Sequence, residues 1–187
     1  MPGQGRWAVA VGLAGVAVLA GCVGATDRDD FNRVVQERGG GLTSELPGDA
    51  VSAVAGSLGV EDFEVRSLTA TPLDGSVMLD VRDPAVPENL DRYMVRRGEV
   101  EQVEPIRLAA GDDLDTQTFP VSGLALDEVE AMVDAALAEF PAGGYVSSMT
   151  VSRLADGVAI QLALESPRAA GTARFTGDGE LVGVTRT

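Results

Sequence analysis

The chain has 187 residues, 14 of them basic against 29 acidic, a net charge of −15, no histidine and a single cysteine; every basic residue is Arg. This acidity opposes nucleic-acid binding, which needs phosphates neutralised by basic patches, and it opposes adsorption to anionic lipid headgroups. Without imidazole the commonest general base and metal ligand is missing, and one cysteine cannot build a Cys/His zinc site or a Cys–His nucleophile pair. The chemistry left is that of carboxylates, hydroxyls and guanidiniums, so the expectation is a non-enzymatic protein with no cofactor, no metal and no nucleic-acid partner.

In chain order, Arg6 precedes an uncharged apolar run, Trp7 to Ala20, that ends in small residues. Such a run reads as an export signal and is set apart from the fold, although its length also approaches the ~20 residues of a bilayer-spanning anchor. Leu19-Ala20-Gly21-Cys22 closes it and resembles the lipobox of bacterial lipoprotein precursors. The resemblance implies cleavage before Cys22, with residues 1–21 as signal peptide. It also implies a lipid (diacylglycerol and palmitate) on Cys22, and a place on the outer face of the cell membrane. An unpaired cysteine in an exported chain otherwise suggests an intermolecular disulfide. The Ala/Gly/Val/Arg/Asp bias resembles that of actinobacterial proteins.

Residues 22–48 read as a tether. Phe31, Val34 and Val35 have helical spacing between Asp27 and Arg38, and Gly39-Gly40-Gly41 then breaks the pattern. The triplet lacks the Lys-Ser/Thr of a phosphate loop and is expected to be a joint.

The remainder carries an internal repeat. Ser67-Leu68-Thr69 corresponds to Ser148-Met149-Thr150, Asp74-Gly75 to Asp156-Gly157, Asp83-Pro84 to Ser166-Pro167, and Gly98-Glu99-Val100 to Gly179-Glu180-Leu181, at a near-constant offset. Each copy reads as a helix followed by strands. Val51, Val54, Ala55 and Leu58 form the first helix, with Asp49 as candidate cap and Gly59 as stop. Val129, Met132, Val133, Ala136, Leu137 and Phe140 share one face of the second, which Pro141 and Gly143-Gly144 end.

Alternation puts Val77, Leu79 and Val81 on one face of a strand, with Met78, Asp80 and Arg82 on the other. In the second copy Val158, Ile160, Leu162 and Leu164 point inward, while Ala159, Gln161, Ala163 and Glu165 point outward. Further strands are expected near Arg92–Arg96, Val100–Ile106, Thr172–Phe175 and Leu181–Thr185. The expected fold class is therefore α+β, with two tandem units (49–107 and 124–187), each a helix on a small antiparallel sheet, joined by an acidic, partly irregular linker at 108–123. In outline this resembles the PepSY-like and β-lactamase-inhibitor-protein-like folds.

Three constellations bear on chemistry. Asp112, Asp113 and Asp115 form the densest acidic knot but lack the EF-hand spacing. Ser147, Ser148 and Ser152 have no partner base. Arg92, Arg96 and Arg97 are the one basic cluster, suited either to a partner's carboxylate or phosphate or to neutralising neighbouring acids. The face formed by Ala159, Gln161, Ala163 and Glu165 is flat and cheap to desolvate, and is the expected docking surface for an envelope or secreted protein. The alternative is a carrier with an apolar cavity of ~300 Å³ or more for a small ligand or lipid.

Overall fold

The computed structural model describes residues 42–187. Cys22, the signal segment, the helix expected between Asp27 and Arg38, and the glycine triplet lie outside the described residues.

Helix α1 spans Glu45–Leu58 and starts ahead of Asp49, the expected cap. Ser44 occupies the cap position, and Pro47 fits the first turn, where a missing N–H costs no intrahelical bond. Gly59 ends the helix in the left-handed region (φ 71°), its N–H donating to the Ala55 carbonyl. Four strands follow as a meander: β1 (Glu64–Thr71), β2 (Ser76–Arg82), β3 (Leu90–Arg96) and β4 (Glu99–Pro105). The β3–β4 turn places Arg97 and Gly98 at φ 54° and 73°. Two positive φ values suit the right-handed twist of a hairpin.

The segment 108–123 is more ordered than its composition suggests. It carries α2 (Leu114–Gln117), β5 (Phe119–Pro120) and a 3-10 turn at Val121–Gly123. Leu114, Thr118, Phe119 and Val121 are all buried. Apolar residues spaced among the acids fold this segment back onto the sheet, where Phe119 and Pro120 pair with Val65 and Glu64.

A 3-10 turn, Leu126–Glu128, leads into α3 (Val129–Ala138). Val129, Met132, Val133, Ala136 and Phe140 are buried, as helical spacing predicts, while Leu137 is only partly buried at the margin of the core. A second meander follows: β6 (Tyr145–Leu154), β7 (Gly157–Ser166), β8 (Ala169–Thr176) and β9 (Leu181–Arg186).

All nine strands of the described residues form one antiparallel sheet, in the order β4-β3-β2-β1-β6-β7-β8-β9, with β5 beside the start of β1. The meanders meet at β1 and β6, where Ser67 pairs with Ser152, Leu68 with Val151, Thr69 with Thr150 and Ala70 with Met149. The sheet is continuous, not divided into two small sheets. Helix α1 packs on β2–β4 and α3 on β7 and β9. One core cluster joins Val54 of α1, Met132 of α3, and the inward residues Leu68, Leu79, Ile160, Leu162 and Phe175. Each such side chain contributes roughly 1.5–3 kcal/mol by leaving water.

Four bulges punctuate the ladders. Arg66 is the extra residue of β1 against β2, and Ser147 that of β6 against β7. Glu101 is the extra residue of β4 against β3, and Val182 that of β9 against β8. Arg66 and Ser147 are separated by the same number of residues as Glu101 and Val182, and as Gly98 and Gly179.

Candidate interaction surface

With the core on the helical side, the outward residues make the opposite face of the sheet. Cross-strand registers give one row as Glu104, Arg92, Asp80, Ser67, Ser152, Ala159 and Thr176. The next row runs Gln102, Met94, Met78, Thr69, Thr150, Gln161 and Arg174. Helices α1 and α3 pack on the core side, whereas the short α2 approaches this face at the β1–β6 seam, where Thr116 and Gln117 line a cleft with Ser67 and Ser152. The centre of the face is a carpet of Ser, Thr, Ala and Gln, side chains that lose little rotamer freedom on contact, apart from Gln.

The four expected docking residues share this face without being equally open. Ala159 is buried, Gln161 and Ala163 are half-buried, and Glu165 is exposed. A methyl group between Ser152 and Thr176 lies below the reach of water, which is why an outward-pointing Ala can be buried. Glu165 accepts a hydrogen bond from the Tyr145 hydroxyl at 2.8 Å, and this bond, with burial, raises the Tyr145 pKa.

A charged group stands on the β1–β3 side of the same face. Asp80 is 4 % exposed. It accepts bonds from Arg92 Nε (2.8 Å) and Nη2 (3.2 Å), and from Arg66 Nη2 (3.0 Å). Burial by itself raises the Asp80 pKa, but the bonds and charge of Arg92 and Arg66 outweigh it, and the net shift is downward. Arg92, in turn, is raised by Asp80. The bulge at Arg66 gives β1 an extra residue beside Ser67, the pairing partner of Asp80.

The expected basic cluster is dispersed among such local contacts. Arg92 serves Asp80, Arg96 lies 3.8 Å from Glu101, and Arg97 occupies the hairpin turn.

At the rim, Arg82 ties the linker to the sheet. It donates to Glu64 Oε2 (3.0 Å), Asp115 Oδ1 (2.7 Å) and the Pro87 carbonyl (2.8 Å). The Asp115 and Glu64 bonds raise its pKa. The acidic knot is accordingly taken up by structure. Asp112 accepts from the Ala109 N–H, Asp113 caps α2 by accepting from the Asp115 N–H, and Asp115 pairs with Arg82. Among the described residues no group of three or more His, Cys, Asp or Glu is arranged to hold a metal ion. None of their helices is long and apolar enough to cross a membrane.

Principal clefts of about 270 to 410 Å³ follow this rim and the β1–β6 seam. Charged side chains line each of them, including Glu64 and Arg82 in one, Asp112 and Asp115 in the next, Asp91 in a third, and Arg66 and Arg153 in the last. Alternation in β2 exposed the outward direction of Asp80, but neither the bulge at Arg66 nor the approach of α2 to Arg153 has a marker in the local sequence.

No protein-family model matches the chain, and no curated protein does. Among solved structures the fold is similar to that of a "putative lipoprotein" from Clostridium difficile, with a TM-score of 0.56 and 13% identity, over 75% of this chain and 92% of that one. At that identity the likeness is one of fold alone.

Proposed function

We propose that this chain is a lipid-anchored extracytoplasmic protein whose folded part is a non-enzymatic docking module, made of two copies of one helix-and-meander unit fused edge to edge. The observation that carries the docking reading is the asymmetry of the sheet: α1 and α3 share the core with one face, while the centre of the other presents mainly short polar side chains whose ordering costs little. Recurrence of the four bulges at matching spacing supports the duplicated unit. Leu19-Ala20-Gly21-Cys22 supports the anchor, and the lipoprotein character ascribed to the Clostridium difficile neighbour agrees with it. The charged lining of the principal clefts favours docking over carriage of an apolar ligand.

Two substitutions test the reading. Cys22→Ala should abolish metabolic labelling with palmitate and move the protein out of the membrane fraction; labelling that persists would refute the anchor. Ala163→Arg, placed on the half-buried centre of the open face, should keep the wild-type circular dichroism while removing an envelope protein that cross-links to the wild type. An unchanged cross-linking pattern would refute the docking face.

A further inference from the structure

The β1–β6 seam opens, where α2 approaches it, into a cleft of about 410 Å³ lined by Arg66, Ser67, Thr116, Gln117, Ser152, Arg153 and Leu154. In a chain of net charge −15, this lining contains two guanidiniums and no carboxylate. We propose that the cleft binds an oxyanion, a phosphate or carboxylate group carried on a small ligand; this does not depend on the docking reading.

The lining side chains themselves carry positive charge despite the overall acidity. Arg66 shares Asp80 with Arg92, so these three side chains carry one net positive charge. Arg153 pairs with no carboxylate among the described residues; one Nη2 donates to the Thr118 carbonyl at 3.0 Å, and its guanidinium stands 5.8 Å from the centre of the Phe119 ring. A guanidinium has five N–H donors in a planar fork that matches the two oxygens of a carboxylate or phosphate. Arg66 commits one nitrogen to Asp80 and Arg153 one to Thr118, leaving donors on both for a ligand.

The rest of the lining completes such a site. Ser67 and Ser152 face each other as cross-strand partners on the floor, and the Gln117 amide supplies further donors from α2. Arg153 is held by Thr118 and Phe119 before any ligand arrives, which lowers the ordering cost of binding. The volume exceeds that of a bare phosphate, so the anion is expected as one end of a larger molecule.

The full chain, isotopically labelled, should be titrated with inorganic phosphate, with succinate, and with vesicles of phosphatidylglycerol or phosphatidylcholine. Amide shifts confined to Arg66, Ser67, Gln117, Ser152 and Arg153 are expected for the anions. Saturation by the free anions identifies a soluble ligand, and binding only to phosphatidylglycerol vesicles identifies a lipid headgroup. Both outcomes support an oxyanion site provided that Arg153→Gln weakens the interaction about tenfold or more, the worth of one charge-assisted contact. Because Arg153 also supports Thr118, Gln117→Glu provides a second arm: it keeps the side-chain shape, places a carboxylate beside the arginines, and should abolish binding without loss of fold. The proposal is overturned if no anion or anionic vesicle shifts these amides, or if both variants bind as the wild type does.

Discussion

Replacing Asp80 with Asn tests the reasoning about the open face most directly. Asp80 accepts three hydrogen bonds from Arg66 and Arg92 while almost wholly buried. Asn keeps the shape but loses the charge and turns an NH2 donor toward two donating guanidiniums. Breaking a fully buried ion pair costs about 3–5 kcal/mol. Here the arginine side chains are 28% and 42% exposed and regain water when released, so we expect a loss of about 1–3 kcal/mol near pH 7.

The same pair predicts a pH dependence of definite sign. The folded-state pKa of Asp80 is depressed, burial being outweighed by Arg92 and Arg66. Its contribution is therefore complete above the unfolded carboxyl value of about 3.9 and is lost as pH falls through the lower folded value. The many other acids also titrate there, so only the difference between wild type and Asp80→Asn isolates this residue. Urea unfolding followed by circular dichroism, repeated from about pH 7 to about pH 2, measures that difference. A gap below about 0.5 kcal/mol at neutral pH, within the range of ordinary surface changes, would refute the reasoning, as would a gap that does not narrow in acid.

Two glycines give opposite predictions. Gly56 sits exposed within α1, and a methyl group there would meet nothing within 4 Å, so Gly56→Ala should raise stability by about 0.5–1 kcal/mol through helix propensity and a less flexible unfolded chain. Gly171 lies in β8, where an added Cβ would stand 2.5 Å from the Thr185 carbonyl oxygen and 2.9 Å from the Phe140 ring; Gly171→Ala should cost about 1–3 kcal/mol by overpacking, measured in the same urea assay.

The local elements were largely legible because their causes are local. Helical spacing marked Val129, Met132, Val133 and Ala136 as one buried face, and alternation separated Ile160, Leu162 and Leu164 from the outward residues of β7. Gly59, Gly75, Gly98 and Gly179 all adopt positive φ, which is why turn residues could be read at those points. The fourth strand of each meander follows directly on a turn glycine, Gly98 or Gly179.

Other features depend on which distant segments meet. Nothing local to β1 or β6 says that their edges join: Ser67, Thr69, Thr150 and Ser152 look like any solvated alternation until the register sets them side by side. That one pairing makes two meanders a continuous sheet and opens the Arg66–Arg153 cleft at their seam. The fate of the linker was hidden for the same reason. Leu114 and Phe119 are too few to show a period, and their burial follows from the surface already available beside β1. Asp80 was visible as an outward acid of β2, but its burial needs Arg66 from one neighbouring strand and Arg92 from the other. The sequence by itself determined which residues turn, alternate or coil, since those preferences act within a few bonds. Only the tertiary structure decided what each outward side chain faces, because that depends on strand order and register, to which residues far apart in the chain contribute jointly.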